Sequence, residues 1–198
     1  MITAYRAAGI VTMDPACPAV MDGAILVEGR RVVAVAPWRE ASGIPCHDLG
    51  PVIIAPGLIN AHTHLELSHL AGLVPGGRGF AAWADSLFAA MRAHRAAPAA
   101  QVSALAAARA CGTSFVADVV GRVALPVREA LAANGMGGHL FREMSGGRAL
   151  PELSSEAWPG PWSFSVHALY STAPALAREA TAWCAFRGLP FSLHLAEA

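Results

Sequence analysis

Three of the eight histidines in this chain stand where they could do chemistry together. His62 and His64 follow a short apolar run, Val52-Ile53-Ile54-Ala55, and a Pro56-Gly57 step. On an extended strand side chains alternate faces, so imidazoles at i and i+2 point the same way, one pleat apart, and both can reach one metal ion. His194 lies on a second apolar run, Leu189-Pro190-Phe191-Ser192-Leu193, and Glu197 follows three residues later. A third imidazole supplies another ligand, and the carboxylate supplies a proton carrier. A His-x-His pair alone is weak evidence, because a histidine in an apolar strand is more often a hydrogen-bonded core residue or an exposed one. Here both runs read as fully buried strands (the first from Pro51 to Ile59), and the segments between them alternate strand and helix. That setting predicts metal-assisted hydrolysis. A divalent ion held by neutral imidazoles lowers the pKa of its water from about 15.7 toward 7, and Glu197 would act first as base and then as acid.

The elements that must position these residues fall into two parts. Residues 1–50 read as a small β unit, with β-rich runs at Ile2–Arg6, Gly23–Glu28 and Arg31–Val35 and a hairpin signal at Glu28-Gly29-Arg30. Residues 51–198 alternate strand and helix. Strands are expected at 52–61, 113–118, 138–143, 163–167 and 190–195, and helices at 80–95, 99–110, 123–134 and 174–187. Residues 146–162 read as an irregular, Pro- and Trp-rich stretch. This alternation predicts an α/β fold with a parallel sheet. Eight such units close a (β/α)8 barrel of about 250 residues, and about five are present. The expectation is therefore an incomplete TIM-type barrel, cut short after its fifth strand, with an open edge through which copies could associate as a homo-oligomer.

Bulk composition excludes several classes of partner. The 198 residues are 55% hydrophobic and 14% charged, with 14 basic and 14 acidic groups and a formal net charge of zero. No basic tract supports a nucleic-acid partner. No apolar run approaches the roughly 20 residues of a membrane span, and residues 1–13 lack the pattern of a signal peptide. The four cysteines are scattered without a Cys-x-x-Cys pair. They read as small buried residues of a reducing compartment, and the expected localisation is cytoplasmic.

These features resemble the amidohydrolase superfamily, and within it the branch of cytosine, guanine and S-adenosylhomocysteine deaminases and chlorohydrolase-like enzymes. The resemblance is carried by Pro56-Gly57-Leu58-Ile59-Asn60-Ala61-His62-Thr63-His64, Gly112-Thr113-Ser114, Ser165-Val166-His167-Ala168-Leu169-Tyr170-Ser171 and His194-Leu195-Ala196-Glu197. His-Thr-His-Leu-Glu-Leu-Ser is also similar to aminodeoxyfutalosine deaminase-like members. The resemblance implies a small N-terminal β-sandwich followed by the barrel, and one divalent metal ion, zinc or iron, on His62, His64 and His194. It also implies a histidine on the sixth strand and an aspartate on the eighth, neither of which falls within these residues. The 198 residues alone are therefore expected to be nearly inactive. None of the five aspartates present is expected to substitute.

The same resemblance implies the reaction: deamination of a purine-like or related heterocycle, with Glu197 moving the proton. Binuclear members bridge two metals with a carboxylated lysine on the fourth strand. All the basic residues here are arginine, so one metal is favoured, and with it deamination. His167 resembles a substrate-contacting histidine of that strand, the alternative being a core histidine. Glu66 and Glu143, at strand ends facing the barrel mouth, could hydrogen-bond a small-molecule substrate; a salt bridge with Arg142 or Arg148 is the competing reading. His47, His69, His94 and His139 read as surface or packing residues, and Trp83, Trp158, Trp162 and Trp183 as core or lid. Hydrolysis of a cyclic amide or a chlorinated ring on the same scaffold remains an alternative, as does a non-catalytic fragment.

Overall fold

The computed structural model describes all residues except 78, 122, 148, 155, 157 and 196–198. It divides into two compact units, Met1–Gly57 and the residues from Leu58 onward. In the first, β1 (Ile2–Val11) is the central strand. It pairs antiparallel with β2 (Ala19–Glu28), which in turn pairs with β3 (Arg31–Pro37). On its other side β1 pairs parallel with β4 (Cys46–Asp48) and β5 (Ile53–Ile54). The expected hairpin forms with Glu28 opposite Arg31, and Gly29 supplies the positive φ of 61° that the two-residue turn requires. Helix α1 (Trp38–Ala41) buries Ala41 against Ala4 and Ala24. Among the described residues this is one mixed sheet, and the second layer of a sandwich is not among them.

The second unit carries the site. After β6 (Leu58–Thr63) come a 3₁₀ turn (Leu65–Leu70), α2 (Phe80–Ala93), α3 (Pro98–Ala110) and β7 (Thr113–Val120). Helix α4 (Leu125–Ala133), β8 (Gly137–Met144), β9 (Trp162–Ala168), α5 (Pro174–Phe186) and β10 (Ser192–His194) follow. The sheet order is β10-β9-β8-β7-β6 with every pair parallel, so consecutive strands are neighbours and all carboxyl ends share one rim. Proline opens α3 and α5 at the first turn, where its missing N–H costs nothing. Gly135 and Gly188, at φ 59° and 63°, end α4 and α5 in the left-handed conformation that closes a helix.

The interior lies where helices cover the central strands. Leu105 of α3 and Val127 and Leu131 of α4 pack on Val116, Val120 and Leu140, with Trp158 from the irregular β8–β9 connection. Leu176, Ala180 and Cys184 of α5 pack on Phe164 and Val166. No described helix is long and apolar enough to cross a membrane.

Three expectations are corrected. The run from Pro51 to Ile59 is neither one strand nor buried: Ile53–Ile54 pairs with β1, and Leu58 and Ile59 are 61% and 69% exposed. Pro56 lacks the N–H needed to continue a ladder, and β6 is an edge strand of its sheet, so only one flank is covered. The strand bearing His194 is likewise an edge, half-buried, with Leu195 exposed. Of the cysteines, only Cys184 is buried; Cys17, Cys46 and Cys111 are exposed.

Candidate metal centre

His62, His64 and His194 come together at the rim formed by the carboxyl ends of the strands. One ring nitrogen from each lies within 4.8 Å of the others. The His62 ring is edge-on to both partners, with centroids 5.0 Å from His64 and 4.8 Å from His194, while His64 and His194 lie nearly parallel at 5.2 Å.

The convergence does not follow from a regular pleat. Asn60 pairs with Val116 and Thr63 with Asp118, so β6 uses three steps where β7 uses two. The extra residue makes a β-bulge at Ala61 and His62, just before His64, and bulges re-aim side chains. His64 then lies past the strand end, at φ −128° and ψ 71°, where the chain turns into the 3₁₀ segment. A second irregularity serves His194. Leu193 pairs with Val166 but His194 with Ala168, which leaves His167 as the extra residue on β9.

That extra residue fixes the protonation of the third histidine. His194 Nδ1 lies 2.7 Å from the His167 carbonyl oxygen. A carbonyl only accepts, so Nδ1 carries the proton, and in the neutral ring Nε2 is a bare lone pair. Nε2 lies 3.1 Å from His64 Nε2, too close for two facing lone pairs unless a proton or a cation lies between them. Tetrahedral nitrogens about 2.0–2.1 Å from a zinc ion would stand about 3.3 Å apart. The donor set therefore fits such an ion: three imidazoles, one held in the ligating tautomer by a backbone carbonyl, with His62 exposed on the open side.

The remaining candidates cluster around these rings. His167 is half-buried, its Nδ1 2.7 Å from Ser171 Oγ and its ring 5.3 Å from that of His194. Glu143, near the end of β8, places Oε1 3.9 Å from His194 Nδ1. Glu66, in the 3₁₀ turn, accepts from the Gly121 backbone N–H with both oxygens, at 3.1 and 3.2 Å. Burial raises its pKa, with Glu143 adding to the rise and the Gly121 hydrogen bond opposing it. Glu66 and Glu143 line a cavity of about 450 Å³ together with His69, His94 and Met91. His69 and His94 thus belong to the surroundings of the site, whereas His139 is buried behind it against Ser163. Glu197, the expected proton carrier, and Arg148 lie outside the described residues.

Sequence reasoning missed Asp118. It lies on β7, fully buried, and its Oδ1 accepts from Thr63 Oγ1 at 2.6 Å and from the Leu65 backbone N–H at 2.8 Å. Burial raises its pKa from 3.8 to about 7, against the lowering effect of those two hydrogen bonds. The signal for it was a lone carboxylate inside the apolar run Val116-Ala117-Asp118-Val119-Val120, since such a residue is almost never fully buried without a partner.

No protein-family model matches the chain. Over 76 residues it is 42% identical to a 5-methylthioadenosine/S-adenosylhomocysteine deaminase of Nitratidesulfovibrio vulgaris, a match covering 36% of this chain and 17% of that protein. Its fold is similar to that of Helicobacter pylori aminofutalosine deaminase in complex with methylthio-coformycin, with a TM-score of 0.79 at 18% identity over 97% of this chain and 50% of the other. It is also similar to zinc-complexed atrazine chlorohydrolase of Arthrobacter aurescens, with a TM-score of 0.77 at 19% identity over 98% and 53%. The chain thus spans about half the length of these solved structures. The chain is thus similar in fold to these solved structures and, over 76 residues, similar in sequence to a deaminase.

Proposed function

We propose that this chain supplies the metal-binding part of a hydrolase that deaminates a purine-like or related heterocycle, in a (β/α)8 barrel of which residues 58–198 are about five strands. The observation that carries the reading is the convergence of His62, His64 and His194 on one point, with His194 in the ligating tautomer. The three histidines would hold one divalent ion, zinc or iron. Such an ion supplies an acidified water and polarises the atom under attack.

The rest of the chemistry falls to the chain's own residues. The His167 carbonyl keeps the His194 proton on Nδ1, so that Nε2 stays a donor of electrons rather than of a proton. Glu197, three residues beyond His194 in sequence, takes the proton of the attacking water and returns it to the departing amine. Glu66 and Glu143 provide acceptors in the adjoining cavity for the hydroxyl or amine groups of a substrate. The His167 ring, held by Ser171, offers a further polar contact beside the ligands. Solved structures of a deaminase and of a chlorohydrolase match the fold about equally, which keeps dechlorination of a ring as the second reading.

The test is product release from adenosine-, guanine- and cytosine-type substrates and a chlorotriazine, by the zinc- or iron-loaded chain, alone and within any longer polypeptide that carries it. Ammonia release that His62→Ala abolishes supports deamination. Chloride release without ammonia, or neither product from the metal-loaded longer polypeptide, overturns it.

A further inference from the structure

Among the described residues the Asp118 side chain makes two hydrogen bonds, and both end on neighbours of His64. Oδ1 accepts from the Thr63 hydroxyl on one side and from the Leu65 N–H on the other, at 2.6 and 2.8 Å. Between them the backbone leaves the strand, with His64 at φ −128° and ψ 71°. Neither torsion is prescribed by the local sequence, so the conformation must be held from outside. A second clamp lies one turn further on, where Glu66 grips the Gly121 N–H. Both clamps anchor the loop to the carboxyl end of β7 and its exit, and the tighter one brackets the ligand itself.

The position is an expensive one for a carboxylate. Asp118 is fully buried, and among the described residues its Oδ2 has no hydrogen-bond partner. A fold seeking stability alone would gain from a neutral residue there. Asp118 itself is not among the groups whose ligand atoms converge.

We infer that Asp118 is a positioning residue of the metal centre: by holding Thr63 and Leu65, it fixes the backbone turn that aims the His64 imidazole at the point shared with His62 and His194. The inference rests on the metal reading above and adds to it the residue that presets the geometry. Loss of such supporting contacts typically costs about 10–100-fold in metal affinity.

The experiment is zinc affinity of the full 198-residue chain by competition with a chromogenic chelator, together with the visible spectrum of the cobalt(II) form. Asp118→Ala, which removes the acceptor for both Thr63 and Leu65, is expected to weaken zinc binding by about 10–100-fold and to alter the cobalt bands, while Thr63→Ser stays near the native chain and Thr63→Val weakens binding. The serine rescue and the cobalt spectrum separate positioning from a general loss of stability. If Asp118→Ala does not fold, the Thr63 pair decides: equal affinities for Val and Ser overturn the inference. So do native affinity and an unchanged cobalt spectrum in Asp118→Ala. A native chain that binds no zinc would sink the metal reading and this inference together. Binding that needs His62 but ignores Asp118 would sink this inference alone.

Discussion

Asp118 makes a measurable prediction about the metal-free protein. Burial raises its pKa from 3.8 to about 7 in the fold, whereas in the unfolded chain it titrates at the ordinary value. Between about pH 4 and pH 7 the folded state therefore binds a proton that the unfolded state does not, so stability falls as pH rises through that window and levels off above it. The rise is about 3 pH units, each worth about 1.4 kcal/mol, and the loss at pH 8 approaches about 4 kcal/mol. Asp118→Asn keeps the shape and removes the titration. The assay is urea denaturation in the presence of EDTA at several pH values from 4.5 to 8.5, native against variant, so that the other carboxylates cancel. The account expects the variant to gain on the native chain steadily up to about pH 8. A native-minus-variant difference that stays constant across that range would refute the burial argument.

Two further predictions concern the frame behind the rim. A Cβ on Gly138 would lie 2.6 Å from Leu131 Cδ1 and 3.3 Å from the Val116 carbonyl, so Gly138→Ala should lower the urea stability by about 1–3 kcal/mol through overpacking. Ser163 Oγ donates to the Pro190 carbonyl at 2.6 Å and lies 2.7 Å from His139 Nε2, tying β8 and β9 to the start of the last strand. Ser163→Ala should therefore cost about 1–3 kcal/mol, which the same titration measures.

The sequence revealed residue types and spacing more readily than the devices that place them. The two-fold alternation of a strand was enough to expect His62 and His64 on one face. The structure reaches that result through a bulge opposite Val116–Asp118 and a turn at His64, and bulges carry no spacing signature. Helix limits were legible at Pro98, Pro174, Gly135 and Gly188, because proline and glycine act locally. Burial was not: whether Leu58 and Ile59 are covered depends on which strands flank β6, a property of the sheet and not of the segment. Asp118 was one of five aspartates with no motif around it. Its role depends on a partner 55 residues away in sequence, at Thr63.

The central claim is that three histidines from opposite edges of one sheet form a single metal site. Its most direct test is the zinc content of the native chain and of His62→Ala, His64→Ala and His194→Ala, each passed through gel filtration after loading and analysed by mass spectrometry. The account predicts about one zinc per native chain, as a single three-histidine site would hold, and little in each variant, with unchanged far-UV circular dichroism. A native chain that retains no zinc, or one whose content survives loss of His194, would contradict it.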